Sequence, residues 1–332
     1  MTTPITAGFD ASPLVQTQAG TARYVAGLGD ALERLEDVEL VRLAFGGSDR
    51  ASALARDLVW YLAALPLQAA RDGLDVLHCT TYRAPLRSRV PVIVTVHDLA
   101  VLRYPAFFPA WTRLYGRTWL APTLRAAARV IAVSEFTRRE VEALAGVPGD
   151  RIRVVPNATG EVFAADGPAA EGDYVLAVGT LEPRKNLRRL AEATRRLGVE
   201  LRVVGAEGWG GVEVAGAGVR WLGRLDDQEV AELYRGALCF AYPSLYEGFG
   251  IPVLEAMRCG APVVSSAGSA MAEVADGAAE LVDPLSVESI AAGIERAVAR
   301  RKELRTAGLA RAARFSWDAA AEATAAVYRE LS

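Results

Sequence analysis

Cysteine and histidine are scarce. The 332 residues hold three cysteines (Cys79, Cys239, Cys259) and two histidines (His78, His97). Three widely separated cysteines exclude a disulfide scaffold and a CxxC zinc site. Two histidines cannot build a multi-histidine metal centre. A strong excess of one charge is also missing: 37 Lys and Arg face 40 Asp and Glu, a net of -3. That argues against a dedicated nucleic-acid binder, which would be markedly basic. No hydrophobic run is long enough to span a bilayer; the longest, Leu58 to Ala70, is interrupted by Pro66. The first ten residues lack the basic start and apolar segment of a secretory leader. The expectation is a reduced, soluble, cytoplasmic protein.

What is present is ample core material. Apolar residues make up 52% and charged residues 23%, which excludes disorder as the main state. The length suits two domains of roughly 150 residues each. Short β-branched runs such as Val92–Val96, Val130–Val133 and Ile152–Val155 read as buried parallel strands. Ala/Leu/Arg-rich helical segments lie between them, for example Tyr24–Leu35 and Phe136–Leu144. A second round begins at Tyr174–Val178. It continues through Leu201–Val204, Arg220–Leu222, Leu238–Tyr242, Pro262–Ser265 and Ala279–Val282. Strands alternating with helices predict two doubly wound α/β domains, 1–165 and the segment from 166 onward. The expected linker is Ala164–Asp173, rich in Gly, Pro and acids. Ligands of such sheets bind beyond the carboxyl ends of the strands, so unusual residues are sought there.

Two loops in the second half stand out. In Tyr242-Pro-Ser-Leu-Tyr-Glu-Gly-Phe-Gly-Ile-Pro-Val-Leu-Glu255, a strand ends at Tyr242 and Pro252 suits the first turn of a helix. Gly248, Phe249, Gly250 and Ile251 therefore lead into a helix N-terminus, where backbone N–H groups favour an anion. Glu247 and Glu255 lie eight residues apart and could reach one wall, where carboxylates accept sugar or ribose hydroxyls. The plainer reading is a strand–helix turn with two solvated acids, but Glu255 is flanked by Val253, Leu254, Ala256 and Met257. In Val178-Gly-Thr-Leu-Glu-Pro-Arg-Lys-Asn186, Gly179 follows a strand and Arg184 and Lys185 sit where a helix opens. Cations there are unfavourable unless an anion binds, so the pair reads as a diphosphate clamp rather than a solvated surface pair.

These residues carry a family resemblance. Glu247-Gly-Phe-Gly…Glu255 resembles the E-x7-E signature of glycosyltransferase family 4, retaining enzymes of GT-B fold. Gly179–Asn186 resembles that family's phosphate loop. Val154-Val-Pro-Asn157 resembles its V-P-N-G segment, with Ala158 in place of Gly. Val94–Leu99 resembles its T-x-H-D strand end, and Phe315-Ser-Trp-Asp318 with Tyr328 resembles its closing helix. The resemblance implies two Rossmann-like domains facing a cleft: an acceptor-side domain 1–165, a nucleotide-sugar domain 166–312, and a segment 313–332 packing back on the first. It assigns ribose to Glu255, donor-sugar hydroxyls to Glu247, sugar and phosphate contacts to the Phe249 and Gly250 amides, and the diphosphate to Arg184 and Lys185. Gly223, Arg224 and Leu225 take the place of the base-contacting loop.

In the first half, His97 follows a strand and precedes Asp98. The resemblance sets it over the donor sugar; the alternative is a structural cap of the strand. His78 reads equally as structural or acceptor-side. Gly20, in Gly20-Thr-Ala-Arg-Tyr24, matches a Gly-rich turn of the family whose second Gly is here Ala22, and could offer an amide to the donor. Residues 1–165 carry 18 basic and 16 acidic side chains. Within 83–129, eight arginines meet one acid, Asp98, among Tyr104, Phe107, Phe108, Trp111, Tyr115 and Trp119. That segment suits peripheral contact with an anionic membrane bearing a lipid-linked acceptor, a lid over a large acceptor, or a packed helix with snorkelling arginines.

The reaction the resemblance implies moves a hexose from a nucleoside diphosphate to a hydroxyl, with retention and without a metal. The partners expected are a nucleotide sugar and a hydroxyl acceptor, with no cofactor and no nucleic acid. GDP-mannose is the favoured donor because Glu-Pro-Arg-Lys-Asn resembles bacterial mannosyl- and rhamnosyltransferases; UDP-glucose and dTDP-rhamnose are alternatives. A sugar-nucleotide epimerase of the same fold and a non-catalytic partner subunit are the rival readings. A dinucleotide oxidoreductase fails because no GxGxxG follows the first strand.

Overall fold

The structure, a computed structural model, describes residues 4–16, 20–46, 55–108, 110–210, 216 and 218–332. The chain divides into two compact units, Met1–Ala158 with Ser316–Ser332, and Thr159–Phe315. In the first unit the strands are β1 (Ile5–Asp10), β2 (Val38–Leu43), β3 (Val76–Cys79), β4 (Val92–Val96), β5 (Arg129–Ala132) and β6 (Ile152–Val154). They form a parallel sheet in the order β2-β1-β3-β4-β5-β6. In the second unit they are β7 (Tyr174–Val178), β8 (Glu200–Val204), β9 (Val219–Gly223), β10 (Cys239–Tyr242), β11 (Val263–Ser266) and β12 (Glu280–Val282). This sheet is also parallel, in the order β12-β11-β10-β7-β8-β9. Both are doubly wound, as the alternation of strands and helices predicts. The order reverses between β1 and β3 in one sheet and between β7 and β10 in the other. At such switch points the loops leaving adjacent strands diverge and open a crevice.

The helix Trp317–Arg329 belongs to the first unit. It packs on the helix Gly20–Leu32, where Gly27 lets the Trp317 ring approach so closely that a Cβ at position 27 would lie 2.3 Å from it. Tyr328 anchors the far end. Its hydroxyl lies 2.7 Å from His78 Nδ1, His78 Nε2 lies 2.7 Å from Thr95 Oγ1, and Thr95 Oγ1 lies 3.0 Å from the Tyr24 hydroxyl. His78 is fully buried, and burial pushes its pKa down to about 3. It is a neutral structural residue, which settles the two readings open from sequence. Arg129 and Arg153 both pair with Glu330, and Arg329 with Asp37.

The expected linker Ala164–Asp173 lies within the second unit and is tied down. The Arg235 guanidinium donates to the carbonyls of Ala164 and Pro168, and Ala170 N donates to Glu232 O. The arginine-rich stretch is not one amphipathic helix. It holds the single turn Ala100–Arg103 and an unbroken helical run over 110–126, in which the π-helical segment Gly116–Leu120 joins Ala110–Tyr115 to Ala121–Ala126. Arg83 pairs with Asp57, Arg103 with Glu140 and Arg129 with Glu330, while Arg125 donates to Ala145 O. Arg87, Arg89, Arg113 and Arg117 are exposed. Among the described residues no helix is long and apolar enough to cross a membrane.

Gly27→Ala should force Trp317 off the helix Gly20–Leu32 and destabilise the first unit by about 1–3 kcal/mol. Thermal melts of Gly27→Ala, Trp317→Ala and the double variant check this. The two losses should be clearly less than additive, because removing the indole removes the clash.

Candidate active site

The two loops singled out in the second half of the chain meet at the switch point of the second sheet. After β7 the chain turns at Gly179, with φ 150°, and Gly205 after β8 crosses so close that a Cβ there would lie 2.0 Å from Gly179 O. A short turn, Pro183–Lys185, ends at Asn186 in the left-handed region, φ 60°. The Asn186 amide holds that conformation by donating to Pro243 O and Pro284 O at 3.0 and 2.6 Å. This fixes the loop after β7 against the loop after β10.

The result is a buried cluster of four charges. Arg184 Nη1 donates to Glu247 Oε2 at 2.7 Å, and Arg184 Nη2 pairs with Glu182 Oε1 at 2.8 Å. Lys185 Nζ, on one of the chain's two lysines, donates to Glu247 Oε1 at 2.7 Å and also to the Tyr242 hydroxyl. Tyr242 OH and Ser244 Oγ lie 3.0 and 2.7 Å from the same Oε1. Two carboxylates against two cations leave no net charge. Burial opposes ionisation of Glu247. The Arg184 and Lys185 charges and the hydrogen bonds from Lys185 and Ser244 outweigh it and bring the pKa down to about 2.

Downstream of Glu247 the loop runs through Gly248 into the helix Ile251–Arg258. Gly250 precedes that helix at φ 96°, and a Cβ there would lie 2.9 Å from Met271 Cγ. Phe249 turns its ring inward, edge-on to Phe315 at 5.9 Å, so its amide and not its ring is what the loop can offer. Pro252 in the first turn has no N–H to satisfy, and the amides around it keep the partial positive charge of a helix start. Glu255, one turn in, is buried and accepts from the Tyr234 hydroxyl at 3.2 Å.

The structure thus brings Gly179, Arg184, Lys185 and Glu247 into one cluster, with Gly248, Phe249, Gly250 and Ile251 on the loop that continues from it. Glu255 sits in the following helix, against the helix Asp227–Gly236 that carries Tyr234. Gly223 ends the edge strand β9, two strands from β7, and its carbonyl accepts from Gly205 N at 2.8 Å; Arg224 is exposed and Leu225 half-buried. Gly20 opens a helix of the first unit and is exposed. His97 lies beyond β4, with Tyr24 edge-on at 4.6 Å. Its Nε2 is 3.0 Å from Thr80 O. A carbonyl only accepts, so Nε2 carries the proton. Burial lowers the His97 pKa despite that bond and the Asp98 charge, so the ring is neutral at pH 7 and Nδ1 is an acceptor. The sequence reading did not assign roles to Glu182, Tyr242, Ser244 and Gly205. The first three lie inside the two motifs, and Gly205 ends a β-branched run as Gly179 does.

Residues 161–313 match the model of the glycosyl transferases group 1, and residues 19–159 that of Glycosyltransferase Family 4. The O-antigen chain mannosyltransferase B of Escherichia coli is 34% identical over 292 residues, 79% of this chain and 76% of that protein. The chain belongs to this family of glycosyltransferases. The fold of this glycosyltransferase matches sucrose-phosphate synthase from Thermosynechococcus elongatus (TM-score 0.80, 21% identity, 98% and 99% of the two chains). It also matches Anabaena HepE, solved in complex with UDP-glucose (TM-score 0.73, 18% identity, 98% and 100%). Both are GT-B glycosyltransferase architectures, in agreement with the fold expected from the motifs.

The glycosyltransferase should show the charged cluster in its acid stability. Glu247 is ionised in the folded state down to about pH 2, against an ordinary value of 4.5. Its folded pKa is depressed, so its contribution of about 3 kcal/mol is present above pH 4.5 and lost as pH falls towards 2. Denaturant melts of the wild type and Glu247→Gln from pH 7 to 2.5 check this: the gap between them should narrow steadily below about pH 4.5.

Proposed function

We propose that this glycosyltransferase transfers mannose from GDP-mannose to a hydroxyl of a growing polysaccharide or glycolipid, with retention and without a metal. The observation that carries the chemistry is the Arg184–Lys185–Glu247 cluster at the β7/β10 switch point. The 34% identity to an O-antigen mannosyltransferase supports the sugar.

The mechanism is an exchange of partners. A diphosphate entering beside the helix start at Gly250 takes the Arg184 guanidinium and the Lys185 ammonium from the carboxylates. Glu247, released from them, accepts hydroxyl protons of the sugar, and Glu255 those of the ribose. As the bond between the anomeric carbon and the phosphate oxygen breaks, charge grows on the leaving diphosphate. Arg184, Lys185 and the helix amides are positioned to stabilise it. The acceptor oxygen bonds to the same face of the carbon, and its proton passes to the departing phosphate. His97, neutral and protonated on Nε2, offers Nδ1 as an acceptor to a substrate hydroxyl.

A thermal-shift panel of GDP, UDP, dTDP and ADP with their sugar conjugates, with and without EDTA, tests the donor. At 100 times its dissociation constant a donor adds about 2.7 kcal/mol of stability. GDP and GDP-mannose should shift the melt equally in both conditions. A shift with UDP alone overturns the donor, and a shift lost in EDTA overturns metal independence. With a competent acceptor, NMR of the product should show the donor's anomeric configuration; the opposite anomer overturns retention. Arg184→Ala should lower kcat by about a hundredfold or more while the fold, read by circular dichroism, persists.

A further inference from the structure

Two helical runs of the first unit lie side by side and leave their outer faces bare. One is Arg56–Ala64, continued by Leu65–Arg71; the other spans 110–126. On the first, Trp60, Tyr61, Leu65 and Ala69 pack into the core, while Leu58, Val59 and Leu62 are 39% to 56% exposed. On the second, Leu120 and Leu124 are buried, while Trp111, Leu114 and Trp119 are 37% to 52% exposed. Leu58, Leu62, Trp111 and Trp119 wall one hollow, so the two apolar faces are continuous. With Leu67, these make seven of the fourteen large apolar side chains that the described residues expose. Single exposed apolar side chains are ordinary, whereas a contiguous group marks a surface that meets an apolar partner.

The charge on this face has one sign. Within 55–71 and 110–126 the only acid is Asp57, which is buried and held by Arg56 and Arg83. Arg113 and Arg117 are exposed, one helical turn apart, and pair with no described carboxylate. Indoles and leucines beside unpaired arginines, with no exposed acid, match the interface of an anionic bilayer. Indole rings settle there at headgroup depth, and guanidinium groups meet lipid phosphates. We propose that this face docks the first unit on an anionic lipid membrane. Leu58, Leu62, Trp111, Leu114 and Trp119 enter the interface, and Arg113 and Arg117 lie on the headgroups. The arginine count of 83–129 does not define the surface. Half of those arginines are held by internal partners, and one apolar half of the face comes from Arg56–Ala64, outside that stretch. A second copy of the chain fits less well, because pairing through the same face would bring these arginines together with no acid to offset them. Tyr61, on the inner side of the first run, donates to Asp10 Oδ2 at the end of β1 at 2.7 Å. The face therefore borders the carboxyl end of the sheet, the side on which ligands of such sheets bind. Docking of this kind is independent of the donor and of the transfer chemistry.

The test floats the full chain with vesicles of phosphatidylglycerol and phosphatidylcholine at low salt, with vesicles of phosphatidylcholine alone as the control. Nucleoside-diphosphate binding and thermal melts are measured on the same samples. The chain should float with the anionic vesicles and leave them as salt rises, since exposed charges are screened. Arg113→Gln and Arg117→Gln should each lower the partition coefficient by about fivefold. Leu58→Gln should lower it by about threefold or more. All three positions are exposed, so the melting temperature and nucleotide binding should stay unchanged. Leu58→Gln separates this face from scattered arginines, because it alters no charge and lies outside 83–129. No flotation of the wild type, or equal flotation on phosphatidylcholine alone, overturns the docking face. So does flotation that Leu58→Gln or the arginine variants leave unchanged. A concentration-dependent dimer in light scattering that Leu58→Gln breaks, with no flotation, assigns the face to a second copy instead.

Discussion

A carboxylate taken out of water must be met by positive charge, and Glu247 is met by Arg184 and Lys185, each at 2.7 Å. Most of the loop architecture of the second unit serves that meeting. β7 and β10 must be neighbours although β8, β9 and the helices Leu187–Leu197 and Asp227–Gly236 lie between them in the chain. The loop after β7 must stop short of a regular helix for one turn, which Asn186 achieves in a left-handed conformation. The backbone after β8 must pass within touching distance of Gly179, which only Gly205 permits. Tyr242 and Ser244 then complete the coordination of the carboxylate from the β10 side. Buried ion pairs of this kind add little to stability compared with apolar residues of the same volume, because desolvation offsets the attraction. Their presence is better explained by what the cations can do.

The first unit solves a similar burial problem without charge. His78 lies among strands, where an imidazolium would be costly, and burial keeps it neutral. One proton on each hydroxyl and one on the ring suffice for the chain Tyr328–His78–Thr95–Tyr24. That chain joins the final helix to the sheet and to the helix Gly20–Leu32. The first unit thus buries a neutral network where the second buries an ionic one. The two histidines show the same contrast. His78 has both ring nitrogens engaged, while His97 uses one and keeps the other as an acceptor.

The strands were legible because parallel strands buried on both faces leave continuous β-branched runs, and the two loops were legible because their residues are chemically odd for a helix start. Strand order was not, since nothing local in Val175 or Cys239 says that they will be neighbours. For that reason Arg184 and Lys185 could be singled out, while their binding to Glu247, some sixty positions on, could be known only from the fold. The segment Ala164–Asp173 has a linker's composition, yet Arg235 from a distant helix fastens it. Counting arginines in 83–129 overstated the free positive charge for the same reason: Asp57, Glu140 and Glu330, which take up three of them, lie outside the segment. Composition registers what a segment carries, and pairing across the sheet decides what remains available.

The neutrality of the cluster bears on how the proposed transfer would work. Two bare cations held this close in a dry site would repel each other, and burial would favour loss of the lysine proton. Glu182 and Glu247 keep both charged and aimed. A diphosphate that replaces the carboxylates therefore exchanges one set of ion pairs for another, so its ground-state binding gains little from the cations. The gain comes later, when the breaking glycosidic bond adds negative charge to the leaving phosphate. Interactions that strengthen only at that stage accelerate the reaction rather than merely tightening binding. A cation pair already balanced by carboxylates thus favours the transition state over the bound donor, which a cluster with excess positive charge would do less well.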